Sequence, residues 1–302
     1  MDRQRLLSRR AVLFPTDTSF EGRSRLAVAV RSRGCAHARS FGPCIYCACL
    51  NDPLCCQSPD VAIRDFAATI QEYAGEQIDV VSLLCPGSFL DEQDLPRHTA
   101  EEMVRSAIDS LRVETVTVES RPTFVSDASV EWLRGAAAGA QVEIAIGFDT
   151  VSDSVRNGVI GKKISRYELR RAVQCAKRRG TRPVPFVVAQ PPGVTRAQAV
   201  AEAVSTVIFL RDLGVTECWM EPVLVVAGSR LQELWEAGEY RLPEPSIVDE
   251  IEAACSEVMG VRRGGDIASP RVVAPSAVAE RRTQQHCQRT VAGCFCGVSK
   301  SK

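Results

Sequence analysis

The sequence predicts an α/β fold built on a parallel sheet, and three observations carry that prediction. Short β-branched runs alternate with amphipathic stretches of helical period from residue 26 to about residue 260. Six strands and six crossovers emerge, and right-handed crossovers of this kind build a parallel sheet. A length of 302 residues, with 45% hydrophobic and 25% charged residues, fits one α/β barrel or two ordinary globular domains. Six such units curl into an open, partial (β/α)6 barrel. A doubly wound flat sheet has the same local pattern, and periodicity does not separate the two.

Taken in order, residues 1–24 read as an arginine-rich N-terminal extension. Ser8, Arg9 and Arg10 invite a twin-arginine export reading, but Pro15, Asp17 and Glu21 interrupt any apolar core behind them. The first strand, 26–31, runs into Gly34 and Cys35. Helix 59–74 then precedes strand 79–84, helix 98–111 strand 114–119, and helix 126–138 strand 142–148. Helix 165–179 precedes strand 184–190, helix 195–212 strand 217–226, and a last helix covers 244–259. The chain changes character near residue 260, where Gly264, Gly265, Pro270 and Pro275 leave no apolar face. Residues 261–285 are expected to be a linker and 286–302 a short cysteine-rich tail.

The chemistry gathers at the end of the first strand, the end at which α/β barrels carry their active sites. There Cys35, Cys44 and Cys47 stand with eight and two residues between them. Three thiolates on one loop hold three irons of a [4Fe–4S] cube and leave the fourth iron for a small molecule. The competing assignment is zinc, which closes with four ligands drawn from two Cys-x2-Cys pairs. No second such pair exists here, so zinc requires His37 or a remote thiol.

This loop resembles the cluster loop of the radical SAM superfamily. The resemblance implies that S-adenosylmethionine chelates the open iron, that Tyr46 packs on its adenine, and that an electron from the cluster yields methionine and a 5′-deoxyadenosyl radical. It also implies a partial barrel of the radical SAM type. Gly87, Ser88 and Phe89, after the second strand, match the segment that receives the methionyl amine; as residues alone they equally fit a βα turn. Glu119-Ser120-Arg121-Pro122 resembles the segment lining the S-adenosylmethionine site in the Elp3-like and archaeosine-forming branches. Asp149, Gly161-Lys162-Lys163 and Gln190 follow in the same order, and the stretch 231–243 resembles the closing segment of the archaeosine-forming enzymes. Those families carry Glu or Gln near the position of Asp149.

Thirteen cysteines clustered toward both ends favour metal or redox chemistry in a reducing compartment, and a cytoplasmic location is expected. In the tail, Cys287, Cys294 and Cys296 offer three soft ligands within ten residues. They are expected to hold a second [4Fe–4S] cluster, its fourth iron open or bound by His286, Cys49, Cys55, Cys56, Cys85 or Cys218; zinc closed by His286 is the competing metal. Cys175 and Cys255 fit buried helix positions, and Trp132, Trp219 and Trp235 fit packing positions.

No run approaches the length of a membrane span, and a net charge of zero argues against charge-driven binding of a polyanion. The expectation is a radical SAM enzyme acting on a nucleoside- or sugar-like small molecule in natural-product biosynthesis. Flavodoxin or ferredoxin would supply electrons, and the second cluster would accept an electron, anchor substrate or donate sulfur for carbon–sulfur bond formation. A tRNA-modifying radical SAM lyase or sulfur transferase is the alternative within enzymes, since archaeosine formation acts on tRNA. A zinc-bound structural or interaction protein is the alternative outside them.

Overall fold

A computed structural model describes residues 11–17, 22–50 and 58–263. Eight strands form one sheet in the order of the chain: β1 (Ala11–Asp17), β2 (Arg23–Ala29), β3 (Val80–Leu84), β4 (Thr115–Ser120), β5 (Gln141–Asp149), β6 (Arg182–Ala189), β7 (Glu217–Pro222) and β8 (Gly260–Arg263). From β2 to β8 every neighbouring pair is parallel. Since the order never reverses, each right-handed crossover steps the same way and the crossover helices fall on one face. That excludes the doubly wound sheet, whose order reverses and whose helices cover both faces. The sheet curls instead into a half-barrel.

Eight helices accompany the described strands: α1 (Ala36–Phe41), α2 (Pro59–Gln71), α3 (Arg97–Leu111), α4 (Asp127–Ala136), α5 (Arg166–Arg178), α6 (Arg196–Asp212), α7 (Arg230–Glu236) and α8 (Pro245–Ser256). Several start on side-chain caps written in the sequence. Ser165 and Glu168 bond reciprocally at α5, as Thr195 and Gln198 do at α6, each satisfying amides a helix start leaves unpaired. Alternate strand residues, among them Leu26, Val28, Val81, Leu83, Val116, Val118, Ile144 and Ile146, are buried beneath the helices.

Two boundaries differ from expectation. Residues 11–17, assigned to an extension, form β1, antiparallel to β2 with Ala11 opposite Val28. Pro15 hides this strand in the sequence, yet a residue without an amide hydrogen is tolerated on a sheet edge. The linker begins later than expected, because Gly260–Arg263 form β8 beside β7. Four residues reading Gly-Val-Arg-Arg carry no strand signal of their own.

What holds β8 is charge. Arg262 donates to both Glu143 oxygens at 2.8 and 2.9 Å and pairs with Glu217 at 2.7 Å, reaching from β8 to β5 across the concave face. Thr117 also donates to Glu143, at 3.2 Å. Burial pushes the Glu143 carboxyl up, while nearby guanidinium groups work against that push. Above this network Val80, Val184 and Trp219 fill the concave face, with the Arg25 guanidinium 5.6 Å from the Trp219 ring. Among the described residues no helix is long and apolar enough to cross a membrane.

Candidate functional site

The carboxyl ends of the strands open on one mouth, and the thiol loop lies across it. Cys35 is the N-cap of α1, and Cys44 and Cys47 follow that short helix, joined by a bond from the Cys47 amide to the Cys44 carbonyl at 2.8 Å. The loop is pinned at three places. Asp94 accepts from the Ala36 amide at 2.7 Å and the Ser88 amide at 3.0 Å, tying the start of α1 to the turn after β3. The Ile45 amide donates to Ile160 at 3.0 Å, and the Leu231 amide donates to Ile45 at 2.8 Å. His37 Nε2 donates to the Gly161 carbonyl at 3.1 Å, so that nitrogen carries a hydrogen and is not available to zinc.

Around the thiols the electrostatics are uneven. Cys49, unassigned to this site by the sequence reading, is buried against Cys35 and Ala38 with Cys47 beside them. Its S–H holds the Cys35 thiol down to about 6, against burial, while its own pKa is driven up by the bonds to Cys35 and Cys47. Burial pushes Cys44 up to about 11, with Lys162 opposing and Asp149 reinforcing the shift. Burial also pushes Asp94 up to about 7, aided by Asp91 and Cys35. Gly87 has a specific reason to be glycine: a Cβ there would overlap the Asp94 carboxylate and stand 3.0 Å from the Cys35 Cα.

The other mouth residues fall into two groups. Glu119, half-buried on β4, alternates with the helix-facing Val118 and so faces the concave side. Arg121 donates its amide to Ser88 Oγ at 3.1 Å and its guanidinium to the Lys162 carbonyl. Asp149 ends β5 at φ 78° and is ion-paired to Lys162, which approaches because Gly147 has no side chain in its path. Gln190, at φ 49°, directly follows β6. Two non-glycine residues in the left-handed region at adjacent strand ends mark backbone held by its surroundings. Among the described residues, Tyr46 Oη, Ser82 Oγ and Asp149 Oδ2 are buried with no hydrogen-bond partner.

The structure therefore brings together Cys35, Cys44, Cys47, Tyr46, Gly87, Ser88, Glu119, Arg121, Asp149 and Gln190 at one end of the sheet. Phe89 reaches the mouth by its backbone alone, whose amide donates to Glu119 at 2.9 Å; its side chain is fully buried in the helix-side core. Cys287, Cys294 and Cys296, with His286, Cys55 and Cys56, lie outside the described residues. Asp94 was missed because nothing in sequence marks it among its acidic neighbours; Cys49 could have been found from the Cys47-x-Cys49 spacing.

Three soft thiols on one loop, beside a glycine with room for backbone alone, fit an iron–sulfur cluster chemically. Among the described residues no three His, Cys, Asp or Glu side chains are already gathered about one point.

No family model matches the chain. It is 25% identical over 226 residues to archaeosine synthase subunit beta of Methanosarcina acetivorans, covering 72% of this chain and 63% of that one. It spans between 50% and 63% of the length of the curated relatives it matches. Its fold is similar to that of Methanocaldococcus infernus Elp3 with an N-terminal deletion, at TM-score 0.54 and 16% identity over 89% of this chain and 63% of that one. It is also similar to Streptococcus suis SuiB bound to S-adenosylmethionine, at TM-score 0.56 and 12% identity over 79% and 50%. By sequence the chain is thus similar to archaeosine synthase beta subunits at 24–25% identity, and by fold to Elp3 and SuiB.

Proposed function

We propose that this chain is a radical SAM enzyme whose substrate is a nucleoside carried in RNA, tRNA being the first to test. The observation that carries the reading is the loop of Cys35, Cys44 and Cys47, fastened through Asp94 to the Gly87-Ser88 turn at the mouth of the half-barrel. The similarity to archaeosine synthase subunit beta favours a nucleoside in RNA over the natural-product substrate. A free nucleoside is the second reading, favoured by the zero net charge. When bound, a [4Fe–4S] cluster with one open iron supplies the electron that splits S-adenosylmethionine into methionine and a 5′-deoxyadenosyl radical.

The chain's own residues would do the holding. Cys35, Cys44 and Cys47 would ligate the cluster, and Tyr46 would support the adenine. The Ser88 amide and hydroxyl are already engaged by Asp94 and Arg121, so the methionyl ammonium would fall to backbone carbonyls of that turn and to the Glu119 carboxylate. Arg121 would pair with the methionyl carboxylate. Asp149 Oδ2, buried without a partner, would accept from a ribose hydroxyl, with Gln190 beside it. Cys287, Cys294 and Cys296 are proposed as ligands of a second cluster.

The test is iron and sulfide content of anaerobically reconstituted protein, together with 5′-deoxyadenosine formation with and without tRNA. About eight irons falling to about four in Cys287→Ala/Cys294→Ala/Cys296→Ala would support two clusters; about four in both would remove the second. No deoxyadenosine from fully loaded protein would overturn the radical SAM reading.

A further inference from the structure

The chain is neutral as a whole, but its charge is not spread evenly. Residues 162–182 hold nine lysines and arginines against one acid, Glu168, in a chain whose 37 basic residues balance 37 acidic ones. Most of them lie on α5, whose buried face carries Leu169, Ala172, Val173, Cys175 and Ala176. At 100° per residue the opposite face presents Arg166, Arg170 and Lys177 in one row, with Tyr167, Arg171 and Arg178 in the row beside it.

The two halves of this face differ. Toward the C-terminal end of α5, Asp127 pairs with Arg178 at 3.3 Å and Arg179 at 3.0 Å, and Lys177 donates to the Gly214 carbonyl at 2.7 Å. Toward the mouth, Arg166 pairs with Asp153 at 2.9 Å, but Lys163, Arg170 and Arg171 have no ion-pair partner among the described residues. Tyr167 stands among them, 69% exposed. Glu168 is occupied at the helix cap, where it accepts from Ser165 and from Thr123.

A core-packing role does not account for an exposed aromatic ringed by unpaired cations. The arrangement matches what single-stranded nucleic acid asks for, cations for phosphates and an aromatic face for a base. It also starts in the right place. Lys163 follows Lys162, which is ion-paired to Asp149 at the mouth and acts on the Cys44 thiol.

We propose that the outward face of the first half of α5, with Lys163, Arg166, Tyr167, Arg170 and Arg171, docks the sugar-phosphate backbone of an RNA substrate and presents one nucleoside to the adjoining mouth. This rests on the reading of the substrate as RNA. Arg170 and Arg171 make phosphate contacts, and Tyr167 stacks on a base next to the one delivered.

The experiment is tRNA binding by full-length protein between about 50 and 200 mM salt, for wild type, Arg170→Ala/Arg171→Ala and Tyr167→Ala. Iron content and tRNA-independent 5′-deoxyadenosine formation are followed in each. The double variant is expected to bind about tenfold or more weakly, with a log K against log salt slope shallower by about 1 to 2. Tyr167→Ala is expected to weaken binding with the slope unchanged. All three proteins should keep wild-type iron and uncoupled deoxyadenosine. Wild-type affinity and slope in the double variant would overturn the docking surface while leaving RNA as the substrate. Absence of tRNA binding by a wild type that still cleaves S-adenosylmethionine would overturn the surface and the RNA reading together, with the radical chemistry intact.

Discussion

At the amino-terminal end of its strands the half-barrel closes buried charges on one another. Glu143 takes both arms of Arg262 and the hydroxyl of Thr117, and Glu217 takes Arg262 and Arg182. At the carboxyl end the same curled sheet leaves business unfinished. Among the described residues Tyr46 Oη and Asp149 Oδ2 are buried without hydrogen-bond partners, Asp149 and Gln190 sit in the left-handed region, and thiols stand against one another. A group whose bonding is complete can fasten strands but has nothing left to offer a ligand. The lower end is therefore the stabilising one, and the upper end holds capacity in reserve for something bound.

The sharpest way to break that contrast is to disturb each end separately. Replacing Cys44 with Ala should reduce retained iron and S-adenosylmethionine cleavage to background while the urea unfolding midpoint of the metal-free chain stays near wild type. Cys49→Ala should keep its iron, because Cys49 lies beside the expected ligands and is not one of them. Equal iron loss in Cys44→Ala and Cys49→Ala would make Cys49 a ligand and redraw the site.

Arg262→Ala should show the opposite signature. It strips Glu143 of its two-armed partner and leaves a buried carboxylate with only Arg182, 3.4 Å away, and Thr117, a loss of up to about 3–5 kcal/mol. Equilibrium unfolding should register that loss, and β8 should be the first segment to lose amide protection. Replacing Glu143 and Arg262 together with Met should recover much of the stability, since an apolar pair of similar volume removes both desolvation penalties. A single variant as stable as wild type would mean that β8 is held by its backbone pairing alone.

A smaller effect is expected at the joint between the thiol loop and the turn after β3. Asp94→Ala leaves the Ala36 and Ser88 amides without their acceptor, a loss of about 1–3 kcal/mol if those amides stay buried. It should slow cluster reconstitution more than it lowers the unfolding midpoint. Reconstitution at the wild-type rate would show that the Ile45 contacts are sufficient to hold the loop.

How far the sequence foretold this molecule follows from which features are local. Strand-and-helix alternation and the spacing of Cys35, Cys44 and Cys47 are local, and both are legible in the sequence. Whether the sheet curls or lies flat was settled only by strand order. β8 was invisible because the Arg262–Glu143 pair that braces it joins positions 119 apart in the chain. The same separation hid Asp94, whose partner Ala36 is 58 positions off. Net charge works in a different way. Zero was correct as a sum, yet it concealed a basic face on α5 that appears only once helix period and ion-pair partners are known.

Asp127 sits where stability and that basic face meet, and its replacement should produce the smallest effect. The bond from Arg179 first, then contacts with Cys175 and Arg178, hold its carboxyl below the ordinary 3.8. A depressed folded-state pKa means that the unfolded chain binds the proton more readily. The contribution is present above about pH 4 and is lost as pH falls through the folded value. The residue is exposed, so the effect should be a slight shallowing of the acid limb of the stability curve in Asp127→Asn. The same substitution frees Arg178 from its acid, while Arg179 keeps Glu131 at 3.6 Å. Because the proposed contact is the half of α5 nearest the mouth, Asp127→Asn should leave tRNA affinity and its salt slope near wild type, unlike Arg170→Ala/Arg171→Ala. A shift confined to Arg170→Ala/Arg171→Ala would locate the contact on that half of α5. Tighter binding and a steeper slope in Asp127→Asn would extend the contact to the half farther from the mouth.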